Sequence, residues 1–279
     1  MRSKLLWIVP LVLILAAGAW YLFGRGGEGP PPVYTADAVA TTPHDEQAFT
    51  EGLFYQDGAF YEGTGGDGTS AEGFSGIRKV KPETGEVLAS QDLPTPYFGE
   101  GVIGWKDKIY EVTWKDEKGF IYGLGDFAPQ GEFAYKGEGW GLTQDGSSII
   151  MSDGTATLKF VDPATFATKS TLTVTAGGCP VKNLNELEWI DGQIYANIWQ
   201  TDLIARIDPK TGKVLSFLDV HALKPGTANQ DEVANGIAYD AAKKRIFVTG
   251  KHWPKMYEVR QGAKQPANDA AAALSTCVK

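Results

Sequence analysis

"FTEGLFYQDGAFYEGTG", residues 49–65, holds two short runs rich in aromatic and apolar residues, with Asp57 and Gly58 between them. Such runs have the composition of β-strands. An Asp-Gly pair favours the tight turn that joins two antiparallel strands. The stretch therefore predicts a β-hairpin.

The hairpin pattern returns along the body of the chain. The first strands of its five copies read FTEGLFY from residue 49, FGEGVIGW from 98, EGWGLTQDG from 138, LNELEWIDG from 184 and VANGIAYD from 233. A second and a third run follow in every copy and a fourth in most, and equivalent positions are 40 to 49 residues apart. Four strands repeated at this period are typical of propeller blades. We therefore predict an all-β fold, a five-bladed β-propeller of four-stranded blades over residues 33–260.

The last copy lacks an obvious fourth strand, and one is available at the other end of the body. The run "VYTADAVATT", residues 33–42, precedes the first copy in the way that a fourth strand precedes the next blade. We expect it to pair into the last blade and close the ring, which removes an exposed sheet edge. Residues 261–279 are then expected to form a flexible C-terminal tail.

The N-terminus has the pattern of an export signal. Arg2 and Lys4 precede an uncharged, mostly apolar run at residues 5–23, which predicts either a cleaved signal peptide or an uncleaved signal-anchor. Residues 24–32 form a linker rich in glycine and proline. Both interpretations place the body outside the cytoplasm, in the periplasm or an equivalent compartment, tethered to the inner membrane by residues 5–23 if the segment is retained.

Composition excludes one large class of partner. The chain has 34 acidic and 26 basic residues and a formal net charge of −8, without the clustered Lys and Arg that phosphate binding needs. Cys179 and Cys277 leave a disulfide possible, and nothing in the sequence supports it. His44 with Asp45, and His252, are interpreted as hydrogen-bonding loop residues, because no third metal ligand has suitable spacing.

The predicted fold brings many polar and aromatic residues to one face. In antiparallel blades the start of the first strand and the end of the second strand meet at the same face of the ring. The residues there are Thr50, Glu51, Glu62, Glu100, Trp114, Glu138, Trp140, Asp153, Asn183, Asn185, Glu186, Trp199, Asn235, Lys251 and His252. Aromatic walls with a few polar groups suit a small organic ligand. Glu138, Asp153 and Asn235 are assigned structural roles.

The motifs, taken in order, resemble one family. They are FTEGL, YFGEG, GEGWGLTQDG, LNELEW, ANIWQTDLIARIDP, NGIAYD and VTGKHWPKMYEV, which together extend over residues 43–259. This series closely resembles the glutaminyl-peptide cyclotransferases of the plant and bacterial type known from papaya latex. Such enzymes convert an N-terminal glutamine to pyroglutamate and release ammonia.

The resemblance implies a peptide or protein substrate with N-terminal glutamine, a monomeric enzyme, and no metal or other cofactor. It implies that Glu100 is the catalytic residue. The substrate-binding residues that it implies are Phe49, Phe98, Trp114, Trp140, Asn185, Trp199 and Lys251. We add Glu51, which is predicted to lie beside Glu100. The family commonly has glutamine where this chain has Glu51, which adds a second carboxylate and is expected to raise a pKa by like-charge repulsion.

The chemistry itself favours a carboxyl group. The α-amine attacks its own side-chain amide, and the nitrogen that leaves must be protonated, so that one carboxyl can serve as base and then as acid. Burial is expected to raise the pKa of Glu100 toward neutrality. The candidates to stabilise the oxyanion are Asn185 and the indole N–H of Trp140 or Trp114. Lys251 can stabilise charge on Glu100 or on the oxyanion.

Two other functions use the same residues. Glu51 and Glu100 are a candidate carboxylate pair for a glycosidase. An exported propeller can also bind a peptide or sugar without turnover. Finally, the glycine-rich loop at residues 63–76 is expected to lie on the active face and to narrow access to the pocket.

Overall fold

The computed structural model describes residues 29–66, 73–226, 230–266 and 268–277. The predicted signal or anchor segment at residues 1–23, the first part of the linker, and residues 67–72 of the glycine-rich loop lie outside these ranges. Within them, no helix is long and apolar enough to span a membrane.

The described chain is built almost entirely of β-strands. Its strands are β1 (Val33–Pro43), β2 (Thr50–Gln56), β3 (Ala59–Thr64), β4 (Gly76–Val80), β5 (Val87–Asp92), β6 (Gly99–Trp105), β7 (Lys108–Thr113), β8 (Lys118–Gly123), β9 (Pro129–Ala134), β10 (Leu142–Gln144), β11 (Ile149–Met151), β12 (Thr157–Val161), β13 (Thr168–Thr173), β14 (Thr175–Ala176), β15 (Cys179–Pro180), β16 (Leu184–Ile190), β17 (Gln193–Ile198), β18 (Leu203–Ile207), β19 (Val214–Asp219), β20 (Ala234–Asp240), β21 (Arg245–Gly250) and β22 (Lys255–Lys264). A 3₁₀ turn at His221–Leu223 and a short helix α1 (Asp269–Leu274) complete it.

The strands form four-stranded sheets that resemble propeller blades, which confirms the predicted all-β class. Three sheets contain β2–β5, β6–β9 and β10–β13, each in sequence order. The largest sheet has the order β16-β17-β18-β19-β1-β22-β21-β20. In it β1 pairs antiparallel with β22 and, at Val33–Thr35, parallel with β19. The expected pairing of residues 33–42 with the last copy of the repeat is therefore confirmed.

The first strands of successive copies pack against one another, and repeated glycines permit it. β2 lies against β6 and β20, while β10 lies between β6 and β16. A Cβ on Gly101 would lie 2.5 Å from the Trp140 carbonyl oxygen, and one on Gly141 would lie 2.8 Å from the Cα of Glu186. Any side chain at these positions collides with backbone, so the spacing of the first strands requires glycine.

Aromatic and ionic contacts join the first and last copies of the repeat. Phe60 of β3 packs edge-to-face on Phe247 of β21, with ring centroids 5.0 Å apart. Beside them Glu62 accepts from His44 Nε2 at 2.9 Å and from Arg78 Nε at 2.9 Å, and His44 Nδ1 lies 2.5 Å from the Trp253 carbonyl oxygen. Burial opposes ionisation here, but the charges outweigh it: the pKa of His44 is raised and that of Glu62 is held well below its usual range.

The C-terminal segment differs from the flexible tail predicted for residues 261–279. β22 continues to Lys264, and α1 follows with Asn268 as its N-cap, whose Oδ1 accepts from the Ala271 N–H at 3.0 Å. Ala271 is buried, and Cys277 forms a disulfide with Cys179 in the β14–β15 hairpin. The sequence left this disulfide open. It anchors the segment to a hairpin 98 residues earlier in the chain.

Candidate active site

One cavity contains every residue that the sequence predicts for the site. Its volume is about 370 Å³. The residues that line it are Phe49, Glu51, Phe98, Glu100, Trp114, Trp140, Asn185, Trp199, Asp231, Lys251 and His252. Asp231 and His252 are the two that the prediction did not include. The structure thus brings Glu100 together with all eight predicted binding residues, and their roles in a reaction stay predictions.

The polar residues reach this cavity from irregular strand ends. The pairing register shifts between Thr50 and Gly52 in β2 and between Gly99 and Val102 in β6, so that Glu51 and Glu100 sit in β-bulges. Equivalent shifts in β16 and β20 contain Asn185 and Asn235. Bulges redirect side chains and are common beside active sites. In the sequence, a polar residue next to the repeated glycine marks the bulges at Glu51, Glu100 and Asn235. The repeat was recognised from the sequence, but the bulges were not.

Two buried carboxyl groups and a lysine form the polar floor. Lys251 Nζ lies 2.5 Å from Glu51 Oε1, and Asn235 Nδ2 donates to Glu51 Oε2 at 3.2 Å. The two carboxyl groups are close enough for each to influence the ionisation of the other. The lysine therefore pairs with Glu51, whereas the sequence analysis considered Glu100 and the oxyanion as its partners.

The environment makes Glu100 the protonated member of this pair. Burial, followed by the charge of Glu51, raises the pKa of Glu100 well above its usual range. Burial also raises the pKa of Glu51, but Lys251 and a hydrogen bond from Glu100 oppose that effect. Because Glu51 has the direct ion pair, it carries the negative charge and Glu100 carries the proton. The expected like-charge repulsion from Glu51 does raise the pKa of Glu100, but desolvation raises that pKa more.

Aromatic rings form the walls. Phe49 packs edge-on against Phe98 with centroids 6.2 Å apart, and Phe98 lies 5.9 Å from Trp114. Across the cavity the rings of Trp140 and Trp199 are T-shaped at 5.7 Å. Lys251 Nζ lies 4.2 Å from the Phe49 centroid, a cation–π contact. The cavity is thus apolar at its sides and polar at its floor.

Glu138 is a residue whose part in the site the sequence reasoning missed. Its Oε2 accepts from Trp114 Nε1 and from Trp140 Nε1, both at 2.9 Å. Both indole N–H groups are therefore engaged, and the expectation that one of them donates to an oxyanion is not met in this arrangement. The sequence offered no signal for this contact, since Glu138 and Trp114 are 24 residues apart.

Asn185 is the third oxyanion candidate. The residue is buried, it lines the cavity, and its Oδ1 has no hydrogen-bond partner among the described residues. A buried amide with an unpaired atom is costly, so the Asn185 side chain is suited to form a hydrogen bond with a ligand. Asn235 keeps the structural role predicted for it, because its Nδ2 also donates to the Thr50 carbonyl oxygen at 2.9 Å.

A second cavity, of about 390 Å³, lies at the opposite ends of the first strands. Its buried carboxyl group, Glu188, is already bonded by the Tyr239 N–H at 2.9 Å and the Thr143 hydroxyl at 3.4 Å. Burial raises the pKa of Glu188 to about 8. This cavity has no unpaired buried side-chain atom comparable to Asn185 Oδ1 within the described ranges, so the first cavity is the stronger candidate.

Histidine geometry agrees with the assigned hydrogen-bonding roles. His252 Nδ1 lies 2.8 Å from the Glu46 carbonyl oxygen, and His44 is bonded to Glu62. In the part of the chain that the structure describes, no group of three or more His, Cys, Asp or Glu side chains is placed to hold a metal ion.

A propeller-like fold, with a buried carboxyl group of raised pKa under aromatic walls, suits an enzyme that handles a small organic group. The family model for glutamine cyclotransferase matches residues 12–261. The chain is 36% identical over 276 residues to the glutaminyl-peptide cyclotransferase of Arabidopsis thaliana, covering 93% of this chain and 84% of that protein. The crystal structure of Myxococcus xanthus glutaminyl cyclase superposes with a TM-score of 0.77 at 34% identity, covering 83% of this chain and 98% of that one.

This chain therefore belongs to the glutamine cyclotransferase family, and the resemblance found in its motifs is confirmed. The match covers more than four fifths of both chains in each comparison. The chain is accordingly an enzyme of that family, and the glycosidase and the non-catalytic propeller are not favoured.

Proposed function

We propose that this enzyme converts N-terminal glutaminyl residues of peptides to pyroglutamate, with Glu100 as the proton shuttle. The observation that carries the proposal is the cavity walled by aromatic rings, in which Glu100 is buried near the Glu51–Lys251 ion pair and has a pKa raised well above its usual range. A buried acid with a raised pKa is what general acid catalysis at neutral pH requires.

Substrate binding supplies most of the rate enhancement through position. The glutamine side chain must fold back until its amide carbon meets the α-amine. Because both groups belong to one residue, the enzyme contributes by holding this folded conformer rather than by bringing two molecules together. Trp140 and Trp199 press on the apolar side-chain stem. The amide of Asn185, whose Oδ1 lacks a partner among the described residues, forms a hydrogen bond with the α-amine or the carboxamide.

The proton transfers balance without any other reactant. The neutral α-amine, which titrates near ~7.7–8.0 in peptides, attacks the carboxamide carbon and forms the ring C–N bond. Glu100 gives its proton to the side-chain nitrogen, the bond from that nitrogen to carbon breaks, and ammonia leaves. The attacking nitrogen then returns one proton to Glu100. Glu51 and Lys251 keep their ion pair throughout, and the floor of the cavity regains its starting charge when the proton returns to Glu100.

Ammonia release from a Gln-initiated dipeptide tests the proposal. Glu100→Gln is expected to lower kcat by about 10²- to 10⁴-fold, the usual contribution of a general acid–base group. Glu188→Gln is the matched control, because it makes the same change in a buried carboxyl group of the opposite cavity and should leave kcat within about threefold of the wild type. Undiminished release from a folded Glu100→Gln variant would contradict the assigned role.

The proposal extends to architecture and location. In this proposal β16–β19 form the fourth blade, and β20–β22 together with β1 form the fifth. The five blades make a closed ring, and the enzyme is a monomer. The Cys179–Cys277 disulfide supports an oxidising, extracytoplasmic compartment. Determining the N-terminus of the mature protein would distinguish a cleaved signal peptide from an anchor, and free thiols at both cysteines in cell-derived protein would count against export.

A further inference from the structure

We propose that Glu138 is a positioning residue, which holds Trp114 and Trp140 in the orientation that the substrate needs. The inference rests on the proposed function, because the substrate is taken to bind between these aromatic walls. Glu138 does not line the cavity, so its action passes through the two indoles.

Glu138 connects two sets of rings that otherwise do not touch. Among the described residues, the ring contacts around the cavity form one set that ends at Trp114 and a second that pairs Trp140 with Trp199. A single carboxylate oxygen, Glu138 Oε2, accepts from the indole N–H on each side at 2.9 Å. Among the described residues, Glu138 therefore links the two sets of aromatic rings.

The two tryptophans need such a restraint because packing alone holds them weakly. Trp114 is 38% exposed, a high value for tryptophan, and Trp140 is partly exposed. An exposed ring loses rotamer freedom when a substrate orders it, and that loss weakens binding. Hydrogen bonds to an anion are stronger than neutral ones, so Glu138 orders both rings before the substrate arrives.

The charge of Glu138 gives the residue a second, separable effect. The charged groups that face Glu100 are Glu51, Lys251 and Glu138, and the cavity wall adds Asp231 and His252. The negative charge of Glu138 contributes to the raised pKa of Glu100, after burial and Glu51. A neutral replacement therefore lowers the pKa of Glu100 even where the geometry is retained.

Two substitutions separate position from charge. Glu138→Gln keeps an oxygen that can accept from both indoles, so KM should stay within about threefold of the wild type while the alkaline limb of the kcat profile moves to lower pH. Glu138→Leu removes the acceptor, and KM should rise roughly tenfold or more, the size expected when hydrogen bonds to a charged group are lost. Asp153→Asn is the matched control, since Asp153 is a carboxylate of the same face whose partners are Lys159 and Thr155.

A binding measurement separates failure of this inference from failure of the proposed function. In the Glu100→Gln background, binding of a Gln-initiated peptide is followed by tryptophan fluorescence and needs no turnover. Weaker binding on adding Glu138→Leu, but not on adding Asp153→Asn, supports the positioning role. Equal binding in the two double variants, with unchanged thermal unfolding, would overturn it. Absence of ammonia release by the wild type would overturn only the proposed reaction.

Discussion

At the scale of single residues, the site depends on where one proton resides. Glu51 and Glu100 are both buried, and the placement of Lys251 beside Glu51 decides which of them is ionised. The sequence could indicate both carboxyl groups and the lysine, because the heads of first strands, with Glu51 and Glu100, and the ends of second strands, with Lys251, meet at one face. It could not indicate which carboxyl group the lysine meets, since Glu51 and Lys251 are 200 residues apart.

Glu51→Gln tests this distribution of charge. The substitution removes the negative charge that raises the pKa of Glu100, and it leaves the Lys251 charge unopposed, so both changes lower that pKa. Glu100 then loses its proton at lower pH, and the alkaline limb of the kcat profile should move down by about one pH unit or more. A limb that stays in place, or moves to higher pH, would show that Glu51 does not set the proton on Glu100.

At the scale of elements, the repeated glycines and the bulges work together. The glycines let the first strands approach until backbones touch, and the bulges beside them bring Glu51 and Glu100 to the cavity, as the bulge of β16 does for Asn185. Strand order and the pairing of β1 could be predicted from the repeat, because alternating apolar runs and turns are local signals. The bulges, β14–β15 and α1 could not, since they depend on contacts with distant segments.

Gly101→Ala tests the close approach of the first strands. The added methyl group would lie 2.5 Å from the Trp140 carbonyl oxygen, so β6 and β10 must separate. We expect the free energy of unfolding, measured with urea, to fall by about 1–3 kcal/mol, the usual range for overpacking. Gly125→Ala is the control, because no atom lies within 4 Å of its added Cβ. Equal unfolding midpoints for the two variants would contradict the packing account.

At the scale of the whole molecule, the seam between the first and last copies of the repeat closes the structure. β1 joins β22, and the buried group of His44, Glu62 and Arg78 lies next to Thr50, whose hydroxyl donates to Glu62 at 2.7 Å. The seam therefore adjoins the floor of the active site. The sequence predicted the strand pairing but not the ion pairs, because their partners lie on three different segments.

The stability of this seam should depend on pH in a defined direction. His44 has a folded pKa above its unfolded value, so its charge stabilises the fold fully below about pH 6.5 and less as the pH rises through the folded pKa. Unfolding with urea from pH 6 to 9 should show a decline for the wild type that is reduced in His44→Gln. His221→Gln, which breaks an exposed pair with Asp202, should keep the wild-type decline. Parallel curves for all three proteins would exclude His44 as the cause.

The most direct test of the account follows the leaving nitrogen. A peptide that begins with glutamine and carries ¹⁵N only in its side-chain amide is incubated with the wild type, Glu100→Gln and Glu188→Gln. We predict that all ammonia released by the wild type carries ¹⁵N, that the peptide keeps its α-nitrogen in a ring, and that only Glu100→Gln slows the release by about 10²-fold or more. Unlabelled ammonia, or release by Glu100→Gln at the rate of Glu188→Gln, would contradict cyclisation with Glu100 as the proton shuttle.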